Sequence, residues 1–110
     1  MEKITHYQNL LTQLLEEYAD YLKEPNLETQ VICDYKRNHF QLVKTGWDKG
    51  DRYYYCIFHF DIKNEKIWLQ ENRSDIRIAL ELEQLGVPKS DIVLAIHSPE
   101  ARAYSDYAVA

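Results

Sequence analysis

Histidines are the side chains of this sequence best suited to bind a metal or transfer a proton near neutral pH. The four are His6, His39, His59 and His97. None belongs to a motif such as HExxH or HxH that sets two imidazoles on one face, and Ser98 lacks the motif of a nucleophile elbow. The sequence therefore predicts no catalytic residue, no metal site and no cofactor. A hydrolase built on His59 or His97 stays open as the weakest alternative.

Two further groups suggest nucleic-acid chemistry. Asp61, Glu65 and Lys66 are similar in type to the acidic residues and the lysine of a metal-dependent nuclease site. They lie on either side of a predicted hairpin turn, however, and this position favours a solvated turn over a nuclease site. The three tyrosines at 53–55 are of a type that stacks on bases, yet that use requires more basic neighbours than Lys49 and Arg52. The residue types favour an interaction module over an enzyme.

Composition predicts one acidic domain covering residues 1–110. The chain has 110 residues, 45% of them hydrophobic, enough to build a core. Its 13 basic and 18 acidic residues give a net charge of −5, which disfavours an autonomous nucleic-acid binder. A local basic edge keeps direct DNA binding open as an alternative. That edge consists of Lys36, Arg37, Lys44, Lys49 and Arg52.

Cysteine spacing and hydropathy predict a soluble, cytoplasmic protein. Cys33 and Cys56 match neither a metal motif nor a redox pair, and each lies in an apolar run, so we expect reduced, buried thiols. The first residues are amphipathic rather than uniformly apolar, unlike a signal peptide. No run approaches the roughly 20 apolar residues of a membrane span.

Hydrophobic periodicity predicts an α+β fold. Apolar residues at three- and four-residue steps indicate a helix over residues 1–23, ended by Pro25. The four strands expected next are Thr29–Tyr35, His39–Trp47, Arg52–Ile62 and Lys66–Gln70. Short polar connections between them predict a four-stranded antiparallel meander. One long helix beginning after Ser74 and a short, mostly irregular C-terminal segment complete the prediction.

The third predicted strand is apolar on both faces, which is unusual for an antiparallel sheet. With Asn64 and Glu65 as a two-residue turn, one face carries Phe58, Phe60, Ile62, Ile67 and Leu69, and we expect the helices to cover it. The opposite face is a candidate interface. Its residues are Tyr53, Tyr55, Ile57, His59 and Trp68. Because monomers seldom expose large apolar patches, we expect a partner to cover this face.

Several segments of the chain also carry a family resemblance. Five segments carry it, and in chain order they are RNHFQLVKTGW before the long strand, the hairpin IKNEKIWLQ, the run LGVPKSDIVLAIHSP, the Arg102/Tyr104 tail and the terminal YAVA. Together they resemble the XisI family, the fdxN element excision controlling factors of cyanobacteria. The resemblance covers nearly the whole chain.

The resemblance implies a compact α+β protein that assists developmentally programmed excision of a DNA element. A separate site-specific recombinase performs strand exchange in that process, so association with DNA is expected to be indirect. The implied companion is an XisH-like protein, and a homodimer or higher homo-oligomer is the other expected assembly. The alternatives are a direct DNA-binding specificity factor and an inhibitor-like partner of a nuclease.

Overall fold

A computed structural model describes residues 2–110. The elements are α1 (Glu2–Tyr21), β1 (Leu27–Asp34), β2 (His39–Asp48), β3 (Asp51–Lys63), β4 (Lys66–Asn72), α2 (Ile78–Gln84), a 3-10 turn (Lys89–Asp91), β5 (Ile92–Leu94) and α3 (Pro99–Arg102). The predicted first helix is confirmed as α1, although Met1 lies outside the described residues. No helix within the described range combines the length and apolar character needed to cross a membrane.

The prediction of a four-stranded antiparallel sheet is wrong. The sheet has five strands in the order β1-β2-β3-β4-β5, and β5 runs parallel to β4, so the sheet is mixed. The first four strands do pair in antiparallel succession. Ile92 and Val93 are fully buried, so β5 shows no alternation of polar and apolar residues. A three-residue run of this kind gives no periodicity by which the sequence could reveal a strand.

The prediction of one long helix after Ser74 is also wrong. The Ser74 hydroxyl donates to Oδ1 of Asn72 at 2.7 Å and accepts from the Ile76 amide at 3.1 Å, which fixes a turn instead of a helix start. Helix α2 begins only at Ile78 and has seven residues. The C-terminal segment, expected to be mostly irregular, contains the 3-10 turn, β5 and α3.

One face of the sheet packs against α1 and α2 and holds the core. The prediction that helices cover the apolar face is confirmed, because all five of its residues belong to the core. The centre of the Phe58 ring, for example, lies 5.7 Å from the centre of the Tyr18 ring in α1. The expected β3–β4 turn is confirmed as well. Asn64 and Glu65 have φ of 53° and 60°, as a two-residue type I′ turn requires, and Ile62 lies opposite Ile67.

A β-bulge at Ile57 breaks the alternation of β3. Leu42 lies opposite Phe58, but the next residue of β2, Val43, lies opposite Cys56, so Ile57 is an extra residue. As a result the consecutive side chains of Ile57 and Phe58 are both buried, at 3% and 0% exposure. The prediction that Ile57 and Phe58 point to opposite faces fails because strict alternation ends at this bulge.

Candidate functional site

Two histidines and an aspartate meet on the outer face of the sheet, the face turned away from α1. Cross-strand pairing places His39 directly opposite Asp61, and Gln41 directly opposite His59. The bulge at Ile57 is responsible for this arrangement. Without the extra residue, the register of the β2–β3 hairpin would place His39 opposite Phe60, a core residue, and His39 would not share a face with His59 and Asp61.

Short polar contacts join the members of this cluster. Nδ1 of His39 lies 2.6 Å from Oδ1 of Asp61, and Nε2 of His59 lies 2.8 Å from the same oxygen. Gln41 Nε2 lies 3.1 Å from Nδ1 of His59, and Gln70 donates to Oδ2 of Asp61 at 3.1 Å. The side chains of His39, His59 and Asp61 are 52%, 26% and 13% exposed, so the cluster opens to solvent on the His39 side.

The environment keeps Asp61 ionised. Burial alone raises the pKa of its carboxyl group, but hydrogen bonds from His39 and His59 and the charges of both rings outweigh burial and leave the pKa below its usual value. An anionic carboxylate between two imidazoles can hold a proton or a cation. His39, His59 and Asp61, for which the sequence predicted no metal or catalytic site, thus form a cluster of titratable groups on this face.

The residues of the predicted interface fall on two faces of the sheet. Tyr55 lies directly opposite Lys44, whose Nζ donates to the carbonyl of Leu22 just past α1, so both side chains face the α1 side. Tyr53 shares that face by alternation, and Ile57 belongs to the core. His59 and Trp68 lie on the outer face. The role of all five residues as an interface stays a prediction.

The C-terminal segment accounts for much of the burial of Trp68. Val93 lies opposite Trp68 in the β4–β5 pair, and Ala108 forms a bridge with Val93. The guanidinium of Arg102 lies 5.6 Å from the centre of the indole ring, and the ammonium of Lys63 lies 4.1 Å from it. This part of the apolar outer face is therefore covered from within the chain.

The basic edge considered for DNA binding is interrupted. Lys44 is buried and pairs with Glu24, so its ammonium is not presented to a ligand. Arg37 pairs with Asp34 at 3.1 Å, and the guanidinium of Arg52 lies over the Trp47 ring at 5.8 Å.

The nuclease-like set of Asp61, Glu65 and Lys66 is likewise divided, since Asp61 belongs to the histidine cluster whereas the Lys66 ammonium donates to the Ala110 carbonyl.

The strand edge near the β2–β3 turn is open and aromatic. β4 pairs with β3 only along Phe58–Lys63, so residues 51–56 of β3 extend beyond it. We call the three exposed aromatic residues here, Trp47, Tyr53 and Tyr54, the aromatic end. An unpaired strand edge beside exposed aromatic rings is typical of surfaces that bind another chain.

Sequence reasoning missed the histidine–aspartate cluster because it searched for closely spaced histidines. One signal was present: His59 and Asp61 are two residues apart on a predicted strand, which places both on the same face. Adding His39 required the register of the β2–β3 hairpin, including the bulge.

Comparison with known proteins gives consistent results. A family model described as XisI protein matches residues 1–109. The chain is similar to the crystal structure of a XisI-like protein from Anabaena variabilis, with 45% identity and a TM-score of 0.92, covering 97% of this chain and 99% of the other. It is also similar to the fdxN element excision controlling factor XisI from Anabaena variabilis, with 30% identity, a TM-score of 0.85, and coverage of 98% and 99%. No curated protein matches the chain.

Proposed function

The chain belongs to the XisI family, and we propose that it is a controlling factor for programmed excision of a DNA element, acting without catalysing strand exchange. The observation that carries the proposal is the similarity to the fdxN element excision controlling factor XisI, which extends over 98% of this chain. Excision requires access to chromosomal DNA, so the proposal includes the cytoplasmic location predicted from the sequence.

In this proposal the chain works through protein contacts, with an XisH-like companion as its partner and a separate recombinase as the enzyme. A net charge of −5 supports a protein partner over direct DNA binding, because phosphate contacts require concentrated positive charge. The aromatic end supports a specific docking surface. Tyrosine and tryptophan are the residues that most often dominate binding energy at protein interfaces.

The open edge of β3 supplies a second element of recognition. A strand from a partner can pair with the backbone of residues 51–56 while the rings of Trp47 and Tyr54 fix its side chains. A second copy of this chain could use the same edge, so self-association is the alternative assembly within the proposal. Either assembly would bring the chain to DNA indirectly, through the recombinase complex.

Light scattering tests the contact proposal. We would measure the purified chain alone and after mixing with an XisH-like protein from the same genome. We expect a homo-oligomer or a stoichiometric complex. The double variant Trp47→Lys/Tyr54→Lys should weaken that assembly at least about tenfold, because both rings are exposed in the monomer and their replacement leaves the core intact.

The matched control is Tyr104→Lys, since Tyr104 is an aromatic residue with 93% exposure outside the aromatic end. This control should assemble as the wild type does. A wild-type chain that stays monomeric and ignores the companion would refute the contact proposal, as would a double variant that assembles normally. Unchanged excision of the element in cells that lack the chain would refute the controlling role itself.

A further inference from the structure

The outer face carries a set of metal-binding atoms that the excision role does not use. One ring nitrogen of His39, one of His59 and a carboxylate oxygen of Asp61 all lie within 4.8 Å of one another. The nitrogens beside the carboxylate are Nδ1 of His39 and Nε2 of His59. From this geometry we propose that His39, His59 and Asp61 together bind one divalent transition-metal ion, with Zn²⁺ as the reference ion. The proposal concerns binding alone and is independent of the proposed function.

The donor set suits such an ion chemically. Two imidazole nitrogens and one carboxylate oxygen are a ligand combination that recurs in zinc and non-haem iron sites. Asp61 contributes a negative charge that compensates part of the charge of the ion, and a neutral imidazole presents its lone pair without electrostatic cost. The set contains no thiolate, which favours borderline ions such as Zn²⁺ over softer ones such as Cu⁺.

The distances require a small and specific adjustment. Zinc bonds of about 2.0–2.1 Å place the ligand atoms of a tetrahedral site about 3.3 Å apart. The two nitrogen–oxygen distances are 2.6 and 2.8 Å, because each imidazole is hydrogen-bonded to the carboxylate. Each ring must therefore withdraw by roughly half an ångström, exchanging its hydrogen bond for a metal bond. His39 begins β2 and is half exposed, so it has room for this movement.

The neighbouring amides orient the ligands. Gln70 holds Oδ2 of Asp61 at 3.1 Å and leaves Oδ1 directed at the two rings. Gln41 lies 3.1 Å from Nδ1 of His59, the ring nitrogen not aimed at the site. When an ion is bound to Nε2 of His59, Nδ1 of the same ring carries the proton. This Nδ1–H donates to the side-chain oxygen of Gln41 after the Gln41 amide has flipped. Metal-bound histidines almost always have such a partner on the second nitrogen.

Three protein ligands leave a fourth tetrahedral position open, on the exposed side of the cluster. Water can occupy this position. The site would therefore be accessible to titration with ions in solution, without unfolding of the chain.

Calorimetric titration of the chelator-treated full chain with ZnSO4 tests the proposal. We expect one ion per chain and a rise in the thermal unfolding midpoint with Zn²⁺ concentration, since the ion binds the folded state. The double variant His39→Gln/His59→Gln should lose binding by more than about 100-fold. Gln41→Leu, which removes only the orienting amide, should weaken binding by about 10- to 100-fold.

The sequence offers a matched control, His6→Gln/His97→Gln, which removes the two histidines outside the cluster. This variant should bind Zn²⁺ as the wild type does. Absence of calorimetric binding in the wild type at millimolar Zn²⁺ would overturn the proposal. Equal binding by the folded His39→Gln/His59→Gln variant, or thiolate charge-transfer bands with Co²⁺, would also overturn it by assigning the ion to other residues.

Discussion

The hydroxyl of Tyr7 donates a 2.5 Å hydrogen bond to Oδ2 of Asp91, across 84 residues of sequence. Tyr7 lies in α1, whereas Asp91 ends the 3-10 turn that leads into β5. The ammonium of Lys3 lies 2.8 Å from the same carboxylate oxygen. This buried contact therefore joins the first helix to the segment that supplies the parallel strand.

Replacing Tyr7 with phenylalanine should lower the free energy of unfolding by about 1–3 kcal/mol, because the buried Asp91 carboxylate would keep only Lys3 as a side-chain partner. Urea unfolding followed by circular dichroism would measure the change. Tyr104→Phe is the control and should stay within about 0.5 kcal/mol of the wild type. Equal stability of the two variants would show that the Tyr7–Asp91 bond contributes nothing.

Stability should decline at alkaline pH as the buried Tyr7 and the half-buried Tyr18 and Tyr107 ionise. Burial and the hydrogen bond to Glu83 raise the pKa of Tyr107 from 10.0 to about 12, and burial also raises the pKa of Tyr7 and Tyr18. A group whose pKa is higher in the folded state contributes stability that is fully present below its unfolded pKa. That contribution is lost as the pH rises through its folded pKa.

Unfolding free energies measured between about pH 9 and pH 12 would test this effect. In Tyr107→Phe the decline should be shallower than in the wild type, because one of the ionising groups is gone. Tyr104→Phe should decline as the wild type does, since Tyr104 is fully exposed. If the Tyr107 variant followed the wild-type curve, the contact with Glu83 would have no role in the pH dependence.

Gly46 should tolerate alanine worse than Gly50 does. Both glycines have positive φ, at 140° and 84°, so both substitutions strain the backbone. Only at Gly46 would the new Cβ also meet other atoms, 3.0 Å from the Asn26 carbonyl oxygen and 3.1 Å from Cδ2 of Leu27. We expect Gly46→Ala to be less stable than Gly50→Ala by about 1–3 kcal/mol, because the added methyl group overpacks the contact with Asn26 and Leu27, and to have the lower thermal midpoint. Matching midpoints would contradict the close approach of β1 to Gly46.

Truncation of Ile57 should test the bulge directly. Because the bulge turns this side chain into the core, Ile57→Ala should cost roughly 2–5 kcal/mol of unfolding free energy. Ile32→Ala, at an exposed position of β1, is the control and should cost far less. Chemical denaturation of both variants would compare them. A small effect at Ile57 would mean that β3 alternates without interruption.

Helix α1 and the four longer strands were accessible to prediction because their signals are local. A stripe of apolar residues defines α1, and the β3–β4 register follows from two turn residues that tolerate positive φ. Ser74 was a misleading local signal, because its side chain bonds the backbone of a turn as readily as that of a helix. Strand β5 gave no periodic signal, since both of its faces are buried.

The sequence by itself determined the α+β class, the order of α1 and the four longer strands, and the assignment of Phe58, Phe60, Ile62, Ile67 and Leu69 to the core face. Only the tertiary structure decided which side chains of β3 share a face, because one extra residue at Ile57 shifts the register and no local pattern marks it. That shift carries Tyr55 toward α1 and sets His39 opposite Asp61 on the outer face. The candidate site is thus completed by long-range strand pairing: His59 and Asp61 are near neighbours on β3, and only the β2–β3 pairing brings His39 into contact with Asp61.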